Sequence, residues 1–287
     1  MSLKRHDKGT EVKKLQKALI DLGYPLPRWG VDGDLGNETM EAVDKLLTSH
    51  GLDYGGLTDN DEISINDLNF IYALLKKKPA PLPVAKDMFF DRRSVSSRAH
   101  IQRRRTWQDV TGICLHQTAC VLGERPARWD TIGCHVGITR TGKVIWLHDF
   151  DFNVAHGGLW NTHTVGIEMD GLYEGILGNP KTLWDDPETK EREKATFITP
   201  ETVSATKNVI RWICAEVARH DGAVMNLVAH RQSSSSREND PGSGLWQAVA
   251  LPMHKELGLS DGGLGFKLGS GYAIPEAWDP RCKGYKY

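Results

Sequence analysis

The sequence predicts an α/β protein: a central mixed sheet flanked by helices, with a small N-terminal three-helix domain in front. Three observations carry this. Apolar residues recur at helical spacing within the first 75 residues, and strand-like alternation begins only beyond residue 110. A run rich in lysine and proline, residues 76–86, separates the two patterns. Strands then alternate with long helical stretches, and a sheet so built needs helices to cover its apolar faces.

The first helix follows from Val12, Leu15, Leu19 and Leu22, with Gly23 placed as a C-terminal cap. A loop with Pro25, Pro27 and Gly30 leads to VDGDLGNET, where Asp32-Gly33 and Gly36 suit tight turns. The second helix turns Met40, Val43, Leu46 and Leu47 inward and is expected to stop near Gly51. The third starts near Ser64 and aligns Leu68, Ile71, Leu74 and Leu75. Residues 1–75 are thus a bundle just large enough to close a core. Lys76 to Lys78 with Pro79, Pro81 and Pro83 then form a stiff, solvated spacer, so the domain boundary falls at 76–86.

In the second part, residues 87–260, GICLHQTA alternates as a half-buried strand, and CHVGITRTGKVIWLHD reads as a hairpin turning at Arg140-Thr141-Gly142. HTVGIEMDG is a further strand. Thr199-Pro200 opens a long helix burying Val203, Ile210, Ile213, Cys214 and Val217. AVMNLVAH is a strand ending at His230, and LWQAVALPMHKEL is a closing helix. Residues 261–287, rich in glycine and aromatics, carry no pattern that assigns them.

Composition narrows the function classes. A net charge of −1 argues against a nucleic-acid partner. No run is long and apolar enough for stable membrane insertion. The first residues lack the apolar core of a secretory signal, so synthesis in the cytoplasm is expected. Cys114, Cys120, Cys134, Cys214 and Cys282 show no paired spacing, and most read as small buried hydrophobes.

GTEVKKLQKALIDLGY followed by VDGDLGNETMEAV resembles the three-helix peptidoglycan-binding modules of cell-wall hydrolases. The resemblance implies binding to bacterial peptidoglycan. Residues 1–75 hold eight basic against thirteen acidic side chains, so charge attraction to an anionic polymer is not the expected force. Tyr24 and Trp29 are the candidate sugar or peptide contacts.

Among residues able to do chemistry, His116 and His230 stand at strand ends, and Asp240 precedes a Pro-Gly turn. Two imidazoles and a carboxylate are the donors of a catalytic zinc site with one open position. On their own they do not decide the matter: a strand-end histidine is commonly a hydrogen-bonded core residue, and an Asp before Pro-Gly commonly a turn former. The ordered series ICLHQTA, CHVGITRTGKVIWL, VAHGG, TVGIEMDG, LVAHRQ and NDPG, however, resembles the zinc N-acetylmuramoyl-L-alanine amidases of the amidase-2 and peptidoglycan-recognition-protein family. That resemblance implies Zn²⁺ held by His116, His230 and Asp240, with Glu168 handling the proton of the attacking water. It implies a phage endolysin-like enzyme that acts on the wall after release. His135 and His156 match family positions and are expected around the pocket, with Trp160 and Asn161 as candidate substrate contacts. Where many relatives carry a lysine two residues before the aspartate, this chain has Glu238, and Arg237 is the expected substitute for stabilising the oxyanion. Two alternatives remain at this point: a non-catalytic recognition protein, and a cytoplasmic wall-recycling amidase. Six arginines against one aspartate over residues 91–105 suit either a solvated entry segment or an anion contact.

Overall fold

The computed structural model describes residues 2–50, 52, 62–77, 82–184 and 195–287. The chain divides into two compact units, Met1–Pro79 and Ala80–Tyr287.

In the first unit α1 (Thr10–Asp21), α2 (Asn37–Ser49) and α3 (Ile65–Lys77) accompany a short antiparallel ribbon of β1 (Leu3–Lys4) and β2 (Glu62–Ile63). Val12, Leu15 and Leu19 of α1, Met40, Val43, Leu46 and Leu47 of α2, and Leu68 and Ile71 of α3 are buried, as their spacing requires. Gly23 takes φ +91° just past the α1 cap, a conformation that favours glycine. Gly33 likewise has φ +84°. Gly36 does not, for it is the extended N-cap of α2 at φ −87°. The buried Gln16 ties the Asp32-Gly33 turn to α1: its amide donates to Asp32 Oδ1 at 2.7 Å and accepts from Gly33 N at 2.8 Å. Two boundaries differ from expectation. α2 ends at Ser49, and Gly51 lies outside the described residues; α3 runs through Lys76 and Lys77 into the stretch expected as spacer.

The second unit is built on a six-stranded mixed sheet with strand order β10-β5-β9-β6-β7-β3. Its strands are β3 (Phe89–Asp91), β5 (Gly112–Gln117), β6 (Val136–Ile138), β7 (Val144–Trp146), β9 (Thr164–Met169) and β10 (Asn226–Ala229). β10, β5, β9 and β6 run parallel, while β6 and β7 form the expected antiparallel hairpin. A separate ribbon pairs β4 (Ile101–Arg104) with β8 (Phe152–Val154). α4 (Pro200–Arg219) begins at an N-cap where Thr199 Oγ1 accepts from Thr202 N at 3.1 Å. A last helical stretch joins α5 (Ser243–Leu245), a π-helical turn (Trp246–Ala250) and α6 (Leu251–Leu257).

One face of the sheet presents Ile113, Leu115, Val165, Ile167, Leu227 and Ala229 to a core shared with Val209, Ile213 and Val217 of α4 and with Trp246 and Val249. The expectation of a half-buried β5 is corrected: all six of its residues are buried. It lies between two parallel neighbours, and each face is covered. The segment after residue 260 packs as well, with Ile274, Trp278 and Cys282 joining the core. Among the described residues no helix is long and apolar enough to cross a membrane.

Most of the arginine run is engaged in this architecture. Arg92 donates to Asp130 at 2.9 Å. Arg93 pairs with Asp91 and Asp149 and lies over the Trp146 ring at 3.4 Å. Arg104 meets Asp151 at 2.9 Å. Arg105 is buried and donates to the carbonyls of Phe150, Asn161, Thr162 and Thr164. A side chain already tied to a carboxylate or carbonyl has little left to offer a free anion.

Candidate metal centre

Parallel pairing sets the site. On β5 and β9, His116 and Glu168 are register partners, so both leave the sheet on the same face at the same level. Ala229 pairs with Leu115, which brings His230, one residue on, level with His116 at the carboxyl edge of the sheet. In parallel α/β sheets this edge is where ligands bind. Asp240 arrives from the loop after His230 and is fixed by its neighbours. Its Oδ1 accepts from Gln117 N at 2.9 Å, and its carbonyl accepts from Arg231 N at 3.1 Å.

The result is a tight triangle of donor atoms. His230 Nδ1 lies 2.9 Å from His116 Nδ1 and 2.9 Å from Asp240 Oδ2, and His116 Nδ1 lies 3.7 Å from Asp240 Oδ2. Tetrahedral zinc with donors at about 2.1 Å needs them about 3.4 Å apart. Two imidazoles and one carboxylate at this spacing fit such an ion. Burial, with His230 beside it, lowers the His116 pKa to about 4, so at neutral pH its imidazole is uncharged and able to ligate. Burial alone would raise the Asp240 pKa, but hydrogen bonds from His116 and His230 hold it well below the usual carboxylate range.

The surroundings orient this triangle. His116 Nε2 is 2.9 Å from His156 Nδ1, and His156 Nε2 is 3.3 Å from the Thr164 carbonyl. This is how a ligating histidine has its tautomer and ring angle set from outside. The arrangement depends on Gly166, where a Cβ would stand 2.7 Å from the His156 ring. Cys114 is also near His116 and His156, but burial pushes its thiol well above the ordinary range and keeps it protonated.

A cavity of about 130 Å³ opens onto the triangle, lined by Thr118, His156, Glu168, Trp184, His230 and Arg237 among others. Glu168 Oε2 is buried without a hydrogen-bond partner. Burial, reinforced by the charge of Asp240, pushes its pKa well up, while Arg237 opposes the rise. Arg237 lies over the Trp184 ring at 4.0 Å, which directs a cation at the cavity wall. Trp184 is not legible in the sequence, since nothing in GNPKTLWDD marks it as part of a site.

The remaining candidates are placed differently. His135 is fully buried: its Nε2 bonds the Phe152 carbonyl at 2.9 Å and its Nδ1 accepts from Gly166 N at 3.0 Å. No ring nitrogen is left for a substrate, so His135 gives the pocket internal support. The Asn161 Oδ1 is turned inward, accepting from His156 N at 2.9 Å and Gly157 N at 2.7 Å. Trp160 is packed with Cys114, Val228, Phe266 and Leu268 rather than lining the cavity. Glu238 points its side chain to solvent while its carbonyl accepts from Arg231. In the first unit Tyr24 is half-buried, with its hydroxyl 2.6 Å from Ser49 Oγ, whereas Trp29 is 63% exposed.

Residues 106–243 match the family model described as N-acetylmuramoyl-L-alanine amidase, amidase-2. The N-acetylmuramoyl-L-alanine amidase CwlL of Bacillus licheniformis is 44% identical over 55 residues, which is 19% of this chain and 15% of that protein. The chain therefore aligns with only a small part of this curated relative. Solved structures with a resemblance include the endolysin amidase LysCS of Clostridium intestinale, at 12% identity and TM-score 0.40 over 60% of this chain and 96% of that one. Another is wild-type PGRP-LB of Drosophila, at 16% identity and TM-score 0.40 over 60% of this chain and 95% of that one.

Proposed function

From the match of residues 106–243 to the amidase-2 family model, we propose that the protein hydrolyses the amide between N-acetylmuramic acid and L-alanine in bacterial peptidoglycan. The observation that carries this reading is the convergence of His116, His230 and Asp240 to donor spacings of 2.9, 2.9 and 3.7 Å beside a buried, unpartnered Glu168 oxygen. His116, His230 and Asp240 would hold Zn²⁺, and the bound ion would supply Lewis acidity, polarising a carbonyl and lowering the pKa of water.

The protein's own groups do the rest. Glu168 is the base: it lines the cavity, and a carboxylate with a raised pKa takes a proton from water and returns it to the departing alanine nitrogen. Arg237, held on Trp184, stands ready to donate to the oxygen that gains negative charge as water adds to the carbonyl carbon. His156 keeps the His116 ring in place and His135 supports the strand beneath. The N-terminal unit, by its resemblance to wall-binding modules, anchors the enzyme on the polymer, with Trp29 as its exposed contact. A phage endolysin is the setting that joins such an anchor to this chemistry. A wall-recycling amidase acts on small soluble fragments and needs no anchor.

Digestion of purified sacculi, with and without a chelator, tests the reading. Release of stem peptides beginning with L-alanine, abolished by chelator and restored by zinc, is the expected outcome. Shortened glycans that keep their peptides would refute it.

A further inference from the structure

The loop between His230 and Asp240 is held by a buried cation. Arg231 follows His230 directly and is 1% exposed. Its guanidinium donates to two carbonyls, Ala273 O at 3.1 Å and Glu238 O, while its backbone N–H donates to Asp240 O at 3.1 Å. One residue thus grips both ends of the loop. Three rings surround the guanidinium, with centroids 4.7 Å (Trp278), 5.1 Å (Tyr287) and 5.8 Å (Tyr272) from Cζ. All three belong to the segment after residue 271. Among the described residues no carboxylate forms an ion pair with Arg231, so ring faces and carbonyl dipoles balance its charge. Burial lowers its pKa to about 10, and it stays charged at neutral pH. The backbone completes the attachment: Tyr272 N donates to Arg231 O at 2.8 Å and Leu268 N to Gln232 O at 2.6 Å. Gly271 passes so near that a Cβ there would stand 2.2 Å from Gln232 O.

We propose that the carboxy-terminal aromatic segment is a positioning device for the metal site: its rings cage Arg231, and Arg231 holds His230 and Asp240 at ligand spacing. The inference rests on the zinc reading and extends it to residues that touch neither ion nor substrate. Partners behind first ligands typically change metal affinity by about 10–100-fold.

The test measures zinc affinity of the full chain by competition with a chromogenic chelator, alongside the unfolding midpoint of each metal-free protein. Arg231→Met is expected to weaken zinc binding by about 10–100-fold. Tyr287→Ala is expected to weaken it by a smaller factor. Arg231→Lys falls between wild type and Arg231→Met, because an ammonium keeps the ring contacts but cannot fork to two carbonyls. Lys283→Ala, exposed on the same segment, leaves affinity unchanged. Should Arg231→Met not fold, Tyr287→Ala and Arg231→Lys decide the question. Folded variants with lower midpoints but wild-type affinity overturn the inference, since a purely structural role moves only the midpoint. A wild-type chain that takes up no zinc overturns the zinc reading and this inference together, whereas normal uptake with unaffected variants overturns the inference alone.

Discussion

Glu168 and Asp240 line one cavity, yet their surroundings push them in opposite directions. Asp240 receives Gln117 N and two imidazoles, which favour its charged form; Glu168 has burial and a neighbouring negative charge, which favour its neutral one. Two carboxylates separated in this way suit the different roles proposed for them, Asp240 as a cation ligand and Glu168 as a proton carrier. Asp240→Asn is therefore expected to abolish stoichiometric zinc uptake, measured by metal analysis of purified protein. Glu168→Gln is expected to keep its zinc and lose about 10²–10⁴-fold in turnover on sacculi. Equal metal content with equal activity in the Glu168 variant would remove it from the mechanism. Arg237→Ala should reduce turnover by about two to three orders of magnitude without loss of metal. Unchanged turnover would mean that another donor serves the oxyanion.

At the level of elements, strand pairing converts distant sequence into a site. The register that sets His116 beside Glu168 also sets Gly166 beneath His156, where the missing side chain makes room for the ring. Gly166→Ala should push His156 off His116 and weaken zinc binding by about tenfold, read by chelator competition. Retention of wild-type affinity would show that the His156 contact does not orient the ligand. The β6 strand has a similar constraint: a Cβ on Gly137 would stand 2.3 Å from the Trp129 ring. Gly137→Ala is expected to cost about 1–3 kcal/mol of stability by urea unfolding.

For the whole molecule, the cluster of buried neutral histidines makes stability depend on pH. Burial drives the His135 and His156 pKa values well below 6.5 and lowers that of His148 to about 4. Above pH 6.5 folded and unfolded histidines are both neutral and no penalty arises. Between pH 6.5 and 4 the unfolded chain takes up protons that the folded one refuses, so stability falls as pH falls. For His148 the loss at pH 5.5 is about 1.4 kcal/mol. The urea midpoint of the metal-free protein should drop between pH 7.5 and 5.5, and His148→Gln should flatten that drop. A midpoint independent of pH would contradict the burial argument.

Local patterns in the sequence determined which elements exist. The helices of the first unit, the β6–β7 hairpin and the Thr199-capped α4 all follow from periodicity and capping, because neighbouring residues set those features. The ordered motifs likewise named His116, His230 and Asp240. Only the tertiary structure decided how these side chains meet. Burial of β5 on both faces, withdrawal of His135 and Asn161 into internal hydrogen bonds, the place of Trp184 on the cavity wall and the aromatic cage around Arg231 all depend on contacts between residues far apart in the chain. Periodicity reports only which face of its own element a residue occupies. What lies opposite that face is fixed when the sheet closes against its helices and the last segment packs over the loop.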